Sequence, residues 1–134
     1  MKPRFRAWDV LAEKMIDEIL MISFVRKEII GKFSDGSTSV PLKFEDERNG
    51  EDVILMQSTG LVDRNGNIIF EGDIVKMAKD VYSEPTYYEV VRHRGGAYRL
   101  ESKQHGCELW LRHTDCEVVG NVYENQEYLK KRGN

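Results

Sequence analysis

Between residues 60 and 123 the chain is cut into short apolar runs by turn residues at close intervals, and this punctuation constrains the fold more than any other feature. Asn65-Gly66 lies between Leu61-Val62 and Ile68-Ile69-Phe70. Asn-Gly is a preferred pair for the type I′ turn, in which both central residues take positive φ, so a tight hairpin is expected there. Gly72-Asp73 precedes Ile74-Val75-Lys76-Met77, Glu84-Pro85 precedes Tyr87-Tyr88-Glu89-Val90-Val91, and Gly95-Gly96 joins that run to Ala97-Tyr98-Arg99-Leu100. Glu108 to Arg112 and Glu117 to Tyr123 read as two further strands. Short strands at this hairpin spacing suit a small curled sheet or an SH3-like barrel. Asn125 is placed to cap a terminal helical turn through Glu127, Tyr128 and Leu129.

The first half is less sharply divided. Arg4 to Asp9 alternates in character and reads as a strand, turning through Val10 to Lys14. Met15 to Val25 carries two signals. Met15, Ile16, Ile19 and Leu20 fit a helical stripe, whereas Ile22, Phe24 and the β-branched content fit a strand; the reading adopted is extended. Ser34-Asp35-Gly36-Ser37 is a turn, and the charged stretch from Glu45 to Asp52 is a connector between two lobes. The expected architecture is therefore mainly β: an N-terminal β-rich lobe over 1–52, then a C-terminal SH3-like small barrel with a short helical turn over 53–134.

A length of 134 residues allows one domain or two small lobes, and 40% hydrophobic residues suffice for a core. Lys and Arg number 20 against 23 Asp and Glu, a net charge of −3, which opposes a main task of coating phosphate backbones. Charges and a proline near the N-terminus fit no export signal. The most apolar window, Ile19 to Val25, is far shorter than the ~20 residues a membrane-spanning helix needs. A soluble cytoplasmic protein without cofactor is expected, its two cysteines kept as thiols.

Several groups invite chemistry. His105, Cys107, His113 and Cys116 carry zinc-capable atoms, but the one-residue gap between the first two fits structural zinc spacing poorly, so exposed histidines, buried thiols and no metal are expected. Asp63-Arg64-Asn65-Gly66-Asn67 imitates the start of a calcium loop, yet Ile68 and Ile74 stand where glycine and glutamate would be required. The acidic run Glu45, Asp46, Glu47, Glu51 and Asp52 reads as a solvated loop. Arg92, Arg94, Tyr98, Arg99 and Trp110, with His93 and Lys103 beside them, interleave cations with aromatics on neighbouring expected strands. Such a strip could hold single-stranded nucleic acid by phosphate attraction and base stacking, against which Glu89, Glu101 and Glu108 would cancel local potential. No phosphate loop, nucleophile elbow or acid–base carboxylate pair is present in the sequence.

Three segments together resemble the YopX family of phage and prophage proteins: Phe5 to Asp9, the long run from Leu55 to Lys76, and Val118 to Asn125. Ser58 replaces the family's usual aromatic and Gln126 its usual proline. The resemblance implies a largely β, phage- or prophage-encoded protein that assembles with copies of itself, and it transfers no catalytic residue. Physically, the signature reads as structural. Thr59-Gly60 and Gly72-Asp73 bracket a hairpin whose Leu55, Leu61, Ile69, Phe70, Ile74 and Val75 pack against the rest of the sheet. The leading expectation is a non-enzymatic, self-associating binding module, with Trp8, Tyr87, Tyr88 and Trp110 as contact residues. Two alternatives stand beside it: a nucleic-acid-binding module, and an enzyme using His93, His105 or His113 as base.

Overall fold

The computed structural model describes residues 4–46, 48, 50–78 and 82–130; Glu47 of the acidic run lies outside them. Two compact units are present, one ending at Gln57 and one beginning at Ser58. The division falls inside a strand.

The first unit is an antiparallel sheet of β1 (Phe5–Asp9), β2 (Lys14–Ser23), β3 (Glu28–Phe33), β4 (Leu42–Lys43) and the first half of β5 (Val53–Val62), in the order β4-β3-β2-β1-β5. β1 is central, pairing Ala7 with both Ile16 and Leu55. The β1–β2 turn closes on Asp9, whose Oδ1 accepts the Ala12 N–H at 2.9 Å while its carbonyl accepts the Glu13 N–H. The mixed signal of residues 15–25 has a structural cause. β2 is extended, but its register against β3 shifts twice, between Ile16 and Glu18 and between Ile19 and Met21. Each irregularity displaces the two-residue alternation, so Ile16, Ile19 and Ile22, spaced three apart as on a helix, all reach one core. That core comprises Ala7, Ile16, Ile29, Phe44 and Val53. Phe24 stands edge-on to both Phe5 and Phe44, with ring centroids 5.9 and 6.1 Å apart.

In the second unit the rest of β5 pairs with β6 (Ile68–Phe70) through Ser58↔Phe70 and Val62↔Ile68. A separate five-stranded antiparallel sheet runs β10-β9-β8-β7-β11, built from β7 (Asp73–Met77), β8 (Thr86–Arg92), β9 (Tyr98–Glu101), β10 (Gly106–Glu108) and β11 (Glu117–Asn121). Its core holds Ile69, Val75, Met77, Tyr88, Val90, Leu100, Leu109 and Cys116.

Four expectations need correction. The expected barrel does not close: β10 and β11 are the two ends of an open sheet, and β5 with β6 form a hairpin outside it. Residues 108–112 are not a strand, because α1 (Leu109–Arg112) begins as β10 ends; one helical turn lets Leu109 enter the core while its neighbours stay outside. The Asn65-Gly66 turn is not type I′, since only Gly66 of the pair has positive φ, at 83°. The Gly66 N–H instead donates to the Asp63 carbonyl at 3.0 Å, closing a four-residue turn whose last residue is the left-handed glycine. Finally, Asn125 does not cap the terminal 3-10 turn Gln126–Tyr128 with its side chain; its Oδ1 accepts the Asn121 N–H at 3.1 Å.

Candidate functional site

The signature residues of the second unit meet in a hydrogen-bonded knot. Asp63 is 3% exposed and has four donors around it. Oδ1 accepts the Asn65 and Asn67 N–H groups at 2.9 and 2.8 Å, and Oδ2 accepts the Asn67 side-chain amide and the Val118 N–H, the latter at 2.9 Å. One carboxylate therefore shapes the hairpin turn and ties it to a strand 55 residues away. Burial alone would raise its pKa, but the Val118, Asn67 and Asn65 amides favour the charged form and hold the carboxyl below its ordinary value. Asp73, also buried, accepts the Phe70 N–H at 2.7 Å and fixes the next turn. Asn121 fixes the third: its Oδ1 accepts the Tyr123 and Glu124 N–H groups, and its side-chain amide donates to Glu124. Gly120 beside it is required by space, since a Cβ there would strike the Asn125 side chain. The Val122 N–H donates to the Gly72 carbonyl, joining the two signature segments, and the Arg64 N–H donates to the carbonyl of Cys116, just ahead of the second. Both buried carboxylates of this knot are engaged by main-chain amides, an arrangement that builds turns.

The cation-aromatic strip divides between surfaces. Register places Arg92 opposite Tyr98 and Val91 opposite Arg99. Tyr98 packs against the core, while Arg99 alternates onto the other face with Glu101 and Glu108. There Arg99 forms ion pairs with Glu108 at 2.8 Å and Glu101 at 3.2 Å, and Glu101 also meets His93 at 3.1 Å. Arg92 lies 3.9 Å from Glu71. Arg94 occupies the loop turn Arg94–Gly96, and Trp110 projects from α1 rather than from a strand. The interface candidates separate similarly. Tyr88 is buried in the core, where burial pushes its phenol pKa up. Tyr87 on the opposite face stacks on Tyr128 with centroids 5.0 Å apart. Trp8 is half-buried on β1.

Of the metal-capable residues, Cys116 is fully buried, its thiol pushed up to about 12 chiefly by burial, and its Sγ donates to the Arg112 carbonyl. Cys107 packs on the same core and burial raises its thiol too. His113 Nδ1 lies 2.7 Å from the Val62 carbonyl. Among the described residues no group of three or more His, Cys, Asp or Glu side chains converges as a metal site. The acidic run is tied down locally: Glu45 pairs with Lys27 at 2.8 Å, Glu51 accepts the Glu45 N–H, and Asp52 accepts the Lys43 N–H.

Sequence reasoning had weighed Asp63 only as an imperfect calcium ligand. The Asp-x-Asn-Gly-Asn spacing does announce an Asx turn, but its bond to Val118 has no local signal. Arg26 and Lys27, which line a recess in the first unit, belong to no motif in the sequence.

Taken together, the observations define a mainly β protein of two compact units whose recurrent residues serve turn construction. The YopX protein family model matches residues 4–130, and the chain belongs to that family. Two crystal structures are similar. Protein EF1440 from Enterococcus faecalis is 28% identical with a TM-score of 0.64, covering 96% of this chain and 99% of that one. Protein yopX from Bacillus subtilis is 25% identical with a TM-score of 0.62, covering 93% and 96% respectively. No curated protein matches the chain. No helix of the described residues is long and apolar enough to cross a membrane.

Proposed function

We propose that the protein is a non-enzymatic, self-associating binding module, and that a second copy docks on the helical turn α1. The observation that carries this reading is the pair Trp110 and Leu111, 65% and 58% exposed. Leu109, fully buried beneath them, anchors the turn, so the two large apolar side chains are held outward on a fixed support. Rigid exposed aromatics of this kind concentrate binding energy at the centre of an interface. The edge strand β10 lies immediately before them in the chain, and its outer side faces no other strand of its sheet.

The family resemblance supports a phage or prophage origin and an accessory role in the host cytoplasm. Nucleic-acid binding has less support, because Arg99 is neutralised by two glutamates and Tyr98 lies on the opposite face of its strand. Light scattering after size-exclusion chromatography tests the proposal. The expected result is an oligomer in the micromolar range that Trp110→Asp converts to a folded monomer. A wild-type chain that stays monomeric across that range would refute it.

A further inference from the structure

The first unit contains a cationic recess unrelated to α1 or to the signature knot. Its volume is about 300 Å3, and it is lined by Arg26, Lys27, Lys43, Glu45, Asp46 and Arg48. Three segments build it: the turn between β2 and β3, the short strand β4, and the loop after it. The Phe44 N–H donates to the Lys27 carbonyl at 2.9 Å, and the Lys43 Nζ reaches the Arg26 carbonyl at 3.3 Å, so turn and strand are held together.

The cations are not all paired. Lys27 is paired with Glu45 at 2.8 Å, and Lys43 with Glu28 at 3.2 Å. Asp46 directs Oδ1 to the Arg48 main-chain N–H at 3.2 Å. Among the described residues, no ion pair or side-chain hydrogen bond engages the guanidinium of Arg26 or of Arg48. Four cations and two carboxylates line the recess, and Glu28, Glu51 and Asp52 bond to its walls from outside the lining, so the available positive charge is that of the two unengaged guanidinium groups, on a chain whose net charge is −3. Two unengaged guanidinium groups at one recess of a negatively charged protein favour a small anion over a long polyanion, because a polyanion meets the general repulsion away from the recess. Guanidinium groups present planar forks of donors that match oxyanions of phosphate geometry.

We infer that this recess binds a small, doubly charged phosphate group, either free phosphate or a phosphate monoester, through Arg26 and Arg48 with Lys27 and Lys43 beside them. Lys27 is the adjustable member. Its ammonium also lies 5.8 Å from the centre of the Phe44 ring, and Glu45 competes with the anion for it.

The test is calorimetric and NMR titration of the full chain at low salt with inorganic phosphate and, separately, with a nucleoside monophosphate; sodium chloride at matched ionic strength is the control. Saturable binding is expected with shifts confined to the amides of Arg26, Lys27, Lys43 and Arg48, weakened about tenfold by Arg26→Gln and again by Arg48→Gln. Glu45→Gln should tighten it. Equal affinity for the two probes would assign recognition to the phosphate alone, and tighter binding of the nucleotide would assign a contact to the organic group. No saturable binding to either probe at millimolar concentration would overturn the inference, as would affinity unchanged in a folded Arg26→Gln, Arg48→Gln variant. Oligomerisation is read separately, so either result leaves the α1 proposal standing or falling on its own test.

Discussion

The two units solve the same problem, closing antiparallel turns, with different chemistry. In the first unit one turn closes on a buried carboxylate, Asp9, while two others close on exposed groups: Asp35 accepts the Ser37 N–H and hydroxyl in open solvent, and Ser23 accepts the Arg26 N–H at the surface. Its precision comes from apolar packing, the Phe5, Phe24 and Phe44 rings and the three-spaced isoleucines of β2. In the second unit the corresponding groups, Asp63, Asp73 and Asn121, are buried. A buried acceptor costs little while its donors are in place and a great deal once they are orphaned, whereas water replaces an exposed one. Asp63, Asp73 and Asn121 all lie in the segments that resemble the family, and their side chains are engaged in closing turns.

Removing equivalent carboxylates is the strongest way to break the contrast. Asp63→Ala leaves the Val118, Asn65 and Asn67 amides without their acceptor and should cost about 4 kcal/mol in urea denaturation, at ~1–3 kcal/mol per buried orphaned donor with partial relaxation. Asp35→Ala should leave the midpoint unmoved. The same carboxylate sets an acid limit. Because the folded pKa of Asp63 lies below the ordinary value of 3.8, its stabilisation is complete above that pH and is lost as pH falls through the lower folded value. Urea midpoints measured from neutral pH downward should fall in that window, and the fall should be shallower in Asp63→Asn.

The glycines sharpen the comparison. Gly31 faces the Ile16 side chain and the Glu18 carbonyl, where β2 crowds β3 at its register shift, so Gly31→Ala presses on core and main chain together. A cost of about 3 kcal/mol is expected in the same denaturation assay. Gly120→Ala meets only the Asn125 side chain, which can swing away at the expense of its bond to the Asn121 N–H. About 1 kcal/mol is expected there, and a double-mutant cycle with Asn125→Ala should be markedly non-additive. Full additivity would remove the close approach as the reason for glycine.

What could be read from residues alone follows the same division. The strands read at 4–9, 74–77, 87–91 and 117–123, each within two residues of the bounds of β1, β7, β8 and β11, were legible because their apolar alternation and flanking turn residues are local. Residues 15–25 were ambiguous because two register shifts imprint a helix-like spacing on a strand, and no single-sequence period distinguishes the two. Residues 108–112 carry Leu-Trp-Leu, which suits a strand by composition; only the core position of Leu109 turns them into a helical step. Asn65-Gly66 signalled a turn correctly but not its type, because the Asp63 carboxylate, gathering the Asn65 and Asn67 amides, imposes a different closure. The cationic recess joins residues from three segments and has no linear motif.

Native-state hydrogen exchange reads the central contrast residue by residue. The Val118 and Asn67 amides, both bonded to buried Asp63, are expected to exchange only through unfolding of their unit, at rates matching those of Val90 and Leu100 in its core. The Ser37 amide, bonded to exposed Asp35, is expected to exchange orders of magnitude faster. Val118 and Asn67 amides exchanging as fast as that of Ser37 would mean that the knot does not hold the turn, and the structural explanation of the signature would fall with it.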